Sequence, residues 1–109
     1  MITETPSTPS LTSVDRLIHE PSRSVILAVL SAVQSADFRY LQRETGLTKG
    51  NLTVHLSKLE AAGYIKIEKT YRGKLPLTLC SITDTGRQAF ENYRKQLKRF
   101  LGSMDAGGT

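Results

Sequence analysis

The chain has 109 residues, 39% of them hydrophobic and 23% charged, which is typical of one globular domain with a modest core. Its longest uncharged apolar run, residues 25–30, is far too short to span a bilayer, and the N-terminus lacks the features of a secretory signal. A single cysteine, Cys80, excludes an internal disulfide. These features predict a cytoplasmic protein without a membrane segment.

The positive charge is concentrated in one segment of the chain. The formal net charge is +5. Residues 39–74 contain eight basic and three acidic residues, and they carry the whole excess because seven basic residues balance seven acidic ones elsewhere. A continuous basic segment is typical of a surface that binds a polyanion. The basic residues are Arg39, Arg43, Lys49, Lys58, Lys66, Lys69, Arg72 and Lys74.

The N-terminal third predicts an arm and two helices. Residues 1–13 are rich in Ser, Thr and Pro and predict a flexible arm. Apolar residues at helical spacing then predict a short helix over residues 14–20, which ends before Pro21 because proline disfavours the helical conformation in the residue before it. The next helix, SRSVILAVLSAV, is apolar on all sides, which predicts that it is the central buried helix.

Two helices joined by a tight turn come next. The segment FRYLQRETG predicts a short helix that ends at Gly46, and Thr48 is suited to cap a second helix that runs to about Ala62. Two helices with such a turn are typical of a helix-turn-helix. A polar break over residues 34–37 precedes this pair of helices. After the pair, the alternating segments YIKIEKTY and LPLTLCSI, joined by RGK, predict a β-hairpin.

The last element is a long amphipathic helix over residues 84–104, capped by Thr83. Its apolar residues recur at intervals of three and four, as in a heptad seam. The seam either folds back on the chain's own residues 14–18 or pairs with a second chain, and the length of the helix favours pairing. We predict a homodimer in which the helices over residues 14–20 and 84–104 form the interface. The predicted interface residues are Val14, Leu17, Ile18, Phe90, Tyr93, Leu97, Phe100, Leu101 and Met104. The folded domain then spans residues 14–102, and a flexible tail is predicted over residues 103–109.

The helix over residues 48–62 has an unusual outward face. Its inward stripe consists of leucines, whereas the opposite side carries small and polar residues with no acidic residue between Glu44 and Glu60. A face needed only for solubility more often carries Glu and Lys, which favour the helix more strongly. Small polar side chains allow a helix to lie deep in the major groove of DNA and to contact base edges and phosphates.

Gly50 and Val54 support the prediction that this face binds DNA. Gly50 would let the helix start approach a phosphate, and Val54 is suited to contact a thymine methyl group. The alternative for Gly50 and Asn51 is a loosely formed helix start, and the alternative for the basic hairpin tip is an ordinary solvated turn. The predicted DNA-binding residues are Thr48, Lys49, Gly50, Asn51, Thr53, Val54, Ser57 and Lys58 on the helix, with Arg72 and Lys74 on the hairpin, whose tip suits an adjacent minor groove.

The sequence contains no recognisable catalytic or metal-binding pattern. His19 and His55 are the only histidines, and neither stands at a catalytic spacing from Cys80. We predict that His55 is a packed, hydrogen-bonded side chain and that Cys80 is a small buried or half-buried filler of a strand. No enzyme activity, metal or cofactor is predicted.

The motifs PSRSVILAVL, FRYLQRETGLTKGNLTVHLSKLEAAGYIKIEK and YRGKLPLTLCSITDTGRQAFENY together resemble winged helix-turn-helix transcriptional regulators close to the MarR and ArsR groups, of the small stand-alone DNA-binding domain type. The resemblance covers residues 14–101. It implies an α+β, mostly α fold with a two-stranded β-hairpin wing and a C-terminal dimerisation helix. The paired cysteines typical of ArsR metal sensors are absent from the sequence, and the chain is shorter than most ligand-binding MarR regulators, so no effector is predicted.

The predicted function is sequence-specific regulation of transcription. The resemblance implies a homodimer on double-stranded DNA, with the helix over residues 48–62 in the major groove and the wing over residues 70–76 alongside. Two-fold symmetry of the protein predicts a pseudo-palindromic operator. The alternative is a winged helix that serves as a protein-interaction module without sequence-specific DNA binding, because a fold does not determine a function.

Overall fold

The elements follow one another in the predicted order, except that one strand is added and the first predicted helix, over residues 14–20, is missing. The computed structural model describes residues 14–107. The helices and strands in that range are α1 (Pro21–Ser31), β1 (Ala36–Asp37), α2 (Phe38–Thr45), α3 (Lys49–Ala61), β2 (Ile65–Arg72), β3 (Leu75–Ile82) and α4 (Asp84–Gly107). The predicted mostly helical α+β fold, a winged helix, is confirmed. The predicted arm over residues 1–13 lies outside the described range.

Residues 14–20 form a hydrogen-bonded turn, so the prediction of a short helix there is wrong. The Asp15 carboxylate accepts hydrogen bonds from the backbone amides of Leu17 (2.9 Å) and Ile18 (3.3 Å). Such local side-chain contacts compete with helix formation. Pro21 limits the segment on its other side, so too few residues remain to offset the free energy of helix nucleation.

The start of α1 agrees with the sequence. Pro21 occupies the first turn, and the Glu20 carboxylate accepts a hydrogen bond from the Arg23 amide (2.8 Å). Proline suits this position because its fixed φ matches the helix and the missing N–H would have no partner within the helix.

α1 is buried on one side only. Val25 keeps 43% of its surface, and Ala28 is also exposed. The prediction of a helix buried on all sides is therefore wrong, because α2, α3, α4 and β3 contact α1 from one side and nothing in residues 14–107 covers the other. The buried residues of the helix are Ile26, Leu27 and Leu30.

Local capping sets the helix-turn-helix. The Asp37 carboxylate accepts a hydrogen bond from the Tyr40 amide (2.8 Å) at the start of α2. Gly46 ends α2 with a φ of 73°, the left-handed conformation that glycine adopts without strain. The Thr48 hydroxyl then accepts a hydrogen bond from the Asn51 amide (3.2 Å) and begins α3. The predicted bounds of both helices are confirmed to within one or two residues.

The sheet has three antiparallel strands in the order β1, β3, β2. The hairpin of β2 and β3 is the predicted wing, and Gly73 at its tip has a φ of 64°, as a two-residue hairpin turn requires. The sequence analysis treated residues 34–37 as a break and missed β1. A strand of two residues has no periodicity to detect, and only pairing with Leu79 and Cys80 defines it.

α4 runs antiparallel to α1 and continues past it. Near the start of α4, the Arg87 guanidinium donates a hydrogen bond to the Ser31 carbonyl (3.0 Å) at the end of α1. Further along, the Tyr93 hydroxyl lies 2.8 Å from Nδ1 of His19, just before α1 begins. The 24 residues of α4 extend over about 36 Å, so its C-terminal part leaves the domain body. No helix within residues 14–107 is long and apolar enough to cross a membrane.

The C-terminal end differs from the prediction. α4 continues to Gly107, so the prediction of a flexible tail over residues 103–109 is wrong for residues 103–107, and residues 108–109 lie outside the described range. The helical pattern extends past Met104 because residues 103–106 contain neither proline nor a left-handed glycine to stop it.

Part of the predicted dimer seam is buried within the single chain. Four of the nine predicted interface residues belong to the domain's own core and are at most 9% exposed, which corrects their assignment to a surface between subunits. They are Val14, Ile18, Phe90 and Tyr93. Leu17 and Leu97 pack against the same core, and Phe100 is half-buried. The first half of the α4 seam therefore packs on the domain's own core, and Tyr93 contacts His19 in the segment before α1. Leu101 and Met104 remain exposed.

The Cys80 thiol and the Tyr64 hydroxyl are expected to make the stability of the protein decrease at alkaline pH. Burial, with a contribution from the Glu60 carboxylate, raises the pKa of the Cys80 thiol from 9.0 to about 11. A hydrogen bond to Asp15, with burial and the Asp15 charge, raises the pKa of Tyr64 from 10.0 to about 12. Both groups therefore hold their protons more tightly in the folded state than in the unfolded state.

We expect these two groups to leave the free energy of unfolding unchanged below pH 9 and to lower it as the pH rises, from 9 to 11 for Cys80 and from 10 to 12 for Tyr64, because the unfolded chain loses these protons first. The Cys80 contribution is about 2–3 kcal/mol at most. Urea unfolding at stepped pH values measures the effect. Cys80→Ala, although less stable at neutral pH, is expected to show a flatter decline. An identical decline in wild type and variant contradicts the assignment to Cys80.

Candidate nucleic-acid interface

α3 presents its small polar face to solvent. Leu52, Leu56 and Leu59 are buried against the core, as the sequence predicted. On the opposite side, Val54 keeps 51% of its surface although it is apolar. Every predicted recognition residue of the helix is exposed, and no other part of residues 14–107 covers this face. These residues are Thr48, Lys49, Gly50, Asn51, Thr53, Val54, Ser57 and Lys58.

The fold itself does not require glycine at position 50. The φ of Gly50 is not positive, and a Cβ atom added there would have no neighbouring atom within 4 Å. Glycine weakens a helix relative to alanine. A loosely formed helix start does not account for it either, because the Thr48 cap closes a regular first turn.

The exposed face offers several free hydrogen-bonding groups. The Thr53 hydroxyl donates its proton to the Lys49 carbonyl (2.9 Å), so its remaining lone pairs act as acceptors. Within the described residues, the side chains of Asn51 and Ser57 make no hydrogen bond. An asparagine amide can donate and accept at once, which matches the edge of adenine in the major groove.

An open groove of about 830 Å³ lies between α3, the wing and the start of α2. Lys49, Thr53 and Ser57 line it from α3, and Arg72 lines it from the wing. The structure thus brings one predicted wing residue onto the same concave surface as three predicted recognition residues. The remaining predicted residues lie outside the lining of this groove: Thr48, Gly50, Asn51, Val54 and Lys58 on α3 and its cap, and Lys74 at the hairpin tip.

The groove carries more positive than negative charge. Its basic lining residues are Arg39, Lys49, Lys69 and Arg72, against the acidic Asp37 and Glu60. Within residues 14–107, none of these four basic residues has a carboxylate within 4 Å. Arg39 and Lys69 were absent from the predicted site, although the charge distribution along the sequence included both. Only the folded chain shows that they line the same groove.

Arg23 connects the rear of α3 to the rest of the domain. Its Nε donates a hydrogen bond to the Leu17 carbonyl (2.6 Å), and its Nη1 lies 3.1 Å from Nδ1 of His55. Because a guanidinium only donates, Nδ1 of His55 is the acceptor in this pair. The prediction that His55 is a packed, hydrogen-bonded side chain at the edge of the core is confirmed. This contact helps to hold the rotation of α3 that exposes its polar face.

The Cys80 thiol and the His19 imidazole both make contacts within the folded domain. Cys80 is fully buried in β3, as predicted. His19 is hydrogen-bonded to Tyr93. Residues 14–107 contain no group of three or more His, Cys, Asp or Glu side chains that could hold a metal ion.

Comparison with known proteins finds chains of similar sequence and fold. The protein MJ0432 of Methanocaldococcus jannaschii is 37% identical over 78 residues, which are 72% of this chain and 85% of that protein. The structure of a transcriptional regulator homologue from Pyrococcus horikoshii superposes with a TM-score of 0.80 at 29% identity, covering 87% of this chain and 92% of that one.

A third comparison concerns a DNA complex. The transcriptional repressor CouR, bound to a 23-mer DNA duplex, has a TM-score of 0.69 at 20% identity, covering 84% of this chain and 65% of that one. At this identity the likeness shows a shared fold. The model of the winged helix DNA-binding domain family matches residues 23–101, most of the chain. The predicted resemblance to winged helix-turn-helix transcriptional regulators is confirmed, and this chain belongs to the winged helix DNA-binding domain family.

Proposed function

We propose that this protein is a sequence-specific regulator of transcription that binds double-stranded DNA as a homodimer, with α3 in the major groove. The observation that carries this proposal is the exposed face of α3. It lacks carboxylates from Lys49 to Lys58, contains a glycine that the fold does not require, and exposes a valine. A major groove accepts such a face because small side chains permit close approach and polar ones read base edges.

The wing supports the same arrangement. When α3 lies in the major groove, the sugar-phosphate backbone that borders this groove passes between α3 and the wing. The four basic residues that line the groove between these elements would then face phosphates. Arg72 and Lys74, near and at the tip of the hairpin, would reach the adjacent minor groove, where arginine is favoured by the negative potential. A regulator of this kind acts in the compartment that holds the chromosome, so we expect it in the cytoplasm.

The part of α4 that leaves the domain body supports the proposed homodimer. Leu101 and Met104 are 51% and 58% exposed near its end, and a second copy of the chain would cover them. Two-fold symmetry then places two α3 helices in successive major grooves, about 34 Å apart, on a pseudo-palindromic operator.

Salt-dependent binding distinguishes DNA recognition from the alternative of a protein-interaction module. We expect the wild-type protein to bind random duplex DNA with micromolar affinity at low salt, and this affinity should fall steeply as salt rises because bound phosphates release counterions. Fluorescence anisotropy with a labelled duplex measures both. Absence of binding at low salt rejects the proposal and favours the protein-interaction module.

Substitutions on α3 separate base reading from phosphate binding. We expect Asn51→Ala and Ser57→Ala to change which base is preferred at individual operator positions, with a loss of about 1–3 kcal/mol of discrimination per base contact. Lys58→Ala should weaken all sequences equally and lower the salt slope by about one. Selection of binding sites from random duplexes provides the operator, and competition assays measure the preference.

Lys95→Ala is the matched control for these variants, because Lys95 is an exposed base on α4, away from the groove and from α3. It should leave both the base preference and the salt slope unchanged. Unaltered base preference in both Asn51→Ala and Ser57→Ala contradicts direct reading by these two residues.

A further inference from the structure

The exposed side of α1 carries apolar residues, and α1 contributes no charged residue of its own to it after Arg23. Pro21, Val25, Ala28 and Ala32 recur at helical spacing, and all four are exposed. No charged residue occurs in residues 24–36. A solvated helix face normally carries charged and polar side chains, and a contiguous apolar face marks a surface that another body covers.

This surface adjoins the place where α4 leaves the domain. His19, which contacts Tyr93, lies two residues before Pro21, the first residue of α1. α4 runs antiparallel to α1 up to this contact, so residues 98–107 project beyond the N-terminal end of α1. The projecting segment carries its own exposed apolar residues, Leu101 and Met104. One chain therefore presents two neighbouring apolar surfaces, the face of α1 and the end of α4.

The described apolar side chains at the end of α4 supply less area than a stable interface buries on each partner. A stable interface buries about 800 Å² on each partner. Phe100, Leu101 and Met104 are the apolar side chains of the projecting end, Phe100 is half-buried, and even a large aromatic side chain contributes only about 150–250 Å². The face of α1 is the neighbouring apolar surface that can add to the area buried by the end of α4.

We infer that the exposed face of α1 receives the projecting end of α4 from a second copy of this chain. The inference rests on the proposed homodimer and specifies its interface. In a two-fold dimer, the contact occurs twice, since each chain supplies one α1 face and one α4 end. The absence of charge from residues 24–36 fits an apolar partner surface, and the end of the same chain supplies such a surface next to it. The two α3 helices are then held at a fixed separation through α1, which contacts α3 directly.

The test is the oligomeric state of charged variants. Val25→Lys and Leu101→Lys place a charge on the α1 face and on the α4 end respectively. Both positions are about half exposed, so the lysine side chain can reach solvent in the isolated subunit and the fold is retained. We expect each variant to raise the dimer dissociation constant at least a hundredfold, as measured by sedimentation velocity over a dilution series. Gln34→Lys is the matched control, because it adds the same charge at an exposed polar position beyond α1 and should leave the dimer intact.

The outcomes separate this inference from the proposed function. Dissociation by both Val25→Lys and Leu101→Lys, with unchanged circular dichroism spectra, supports the inference. A wild-type dimer that Val25→Lys leaves intact overturns it while the homodimer stands. Dissociation on deletion of residues 1–13, with Val25→Lys still dimeric, also overturns it, since another part of the chain then forms the interface. A monomeric wild type rejects the homodimer, and DNA binding is measured separately from all of these.

Discussion

Replacement of Gly86 by alanine is expected to lower the free energy of unfolding by about 3 kcal/mol, through overpacking against a rigid neighbour. A Cβ atom on Gly86 would lie 2.0 Å from the carbonyl oxygen of Tyr64 and 2.8 Å from its carbonyl carbon. These are backbone atoms, so a rotamer change cannot relieve the contact. The Tyr64 carbonyl is also held in place by a hydrogen bond from the Thr83 amide (3.0 Å).

The close approach at Gly86 joins the first turn of α4 to the end of the helix-turn-helix. Thr83 strengthens this junction, because its hydroxyl donates a hydrogen bond to the Gly63 carbonyl (2.6 Å) and accepts one from the Gly86 amide (2.9 Å). The larger Gly86→Val should therefore destabilise the domain further than Gly86→Ala. Urea unfolding followed by circular dichroism measures both variants.

Gly102→Ala provides the control on the same helix. A Cβ atom at Gly102 would have no neighbour within 4 Å, and its φ is not positive. We expect this substitution to stabilise the chain by about 0.5–1 kcal/mol, because alanine favours the helix over glycine. Equal effects of Gly86→Ala and Gly102→Ala would show that helix propensity, rather than contact with Tyr64, determines the role of Gly86.

Replacement of Gly50 by alanine is expected to act in opposite directions on stability and on DNA binding. Stability should rise, by up to about 1 kcal/mol, because alanine favours the helix and the added Cβ meets open space. DNA affinity should fall about tenfold or more, equivalent to at least 1.4 kcal/mol, because the new methyl group lies where the first turn of α3 is proposed to approach the duplex. Thermal unfolding and anisotropy titrations on the same preparation measure the two effects.

The two measurements on Gly50→Ala test different statements. A decrease in stability contradicts the open space around Gly50. Unchanged DNA affinity in a more stable variant places the first turn of α3 away from the duplex, and the glycine then has no role in binding. A substitution that raises stability and lowers binding affinity is expected where the free protein gives up stability for contact with a partner.

Much of the fold could be predicted from local sequence. Thr48, Thr83 and Gly46 cap helices as their residue types indicate, and Gly73 supplies the left-handed residue of the hairpin turn. The leucine stripe of α3 indicated which of its sides faces the core. Helix capping, turn formation and hydrophobic periodicity depend on a few consecutive residues, so they can be predicted without knowledge of the tertiary contacts.

The terminal segments were predicted less well because local signals compete there. Spacing alone favoured a helix over residues 14–20, but the carboxylate of Asp15 bonds to nearby amides and to the Tyr64 hydroxyl, a partner 49 residues away. The heptad seam of α4 was continuous in sequence, yet its first half packs on the core and its end projects. A repeat shows which residues share a face, but it does not show what covers that face.

The sequence by itself determined the order of the elements, the polar face of α3 and the basic character of the middle segment, because these depend on residue type and on short-range geometry. The tertiary structure alone decided that Arg39 and Lys69 line a groove with Lys49 and Arg72, that one side of α1 is left uncovered, and that Gly86 has to remain glycine. Each of these depends on contacts between residues distant in the chain, and their positions are set by packing the whole core at once.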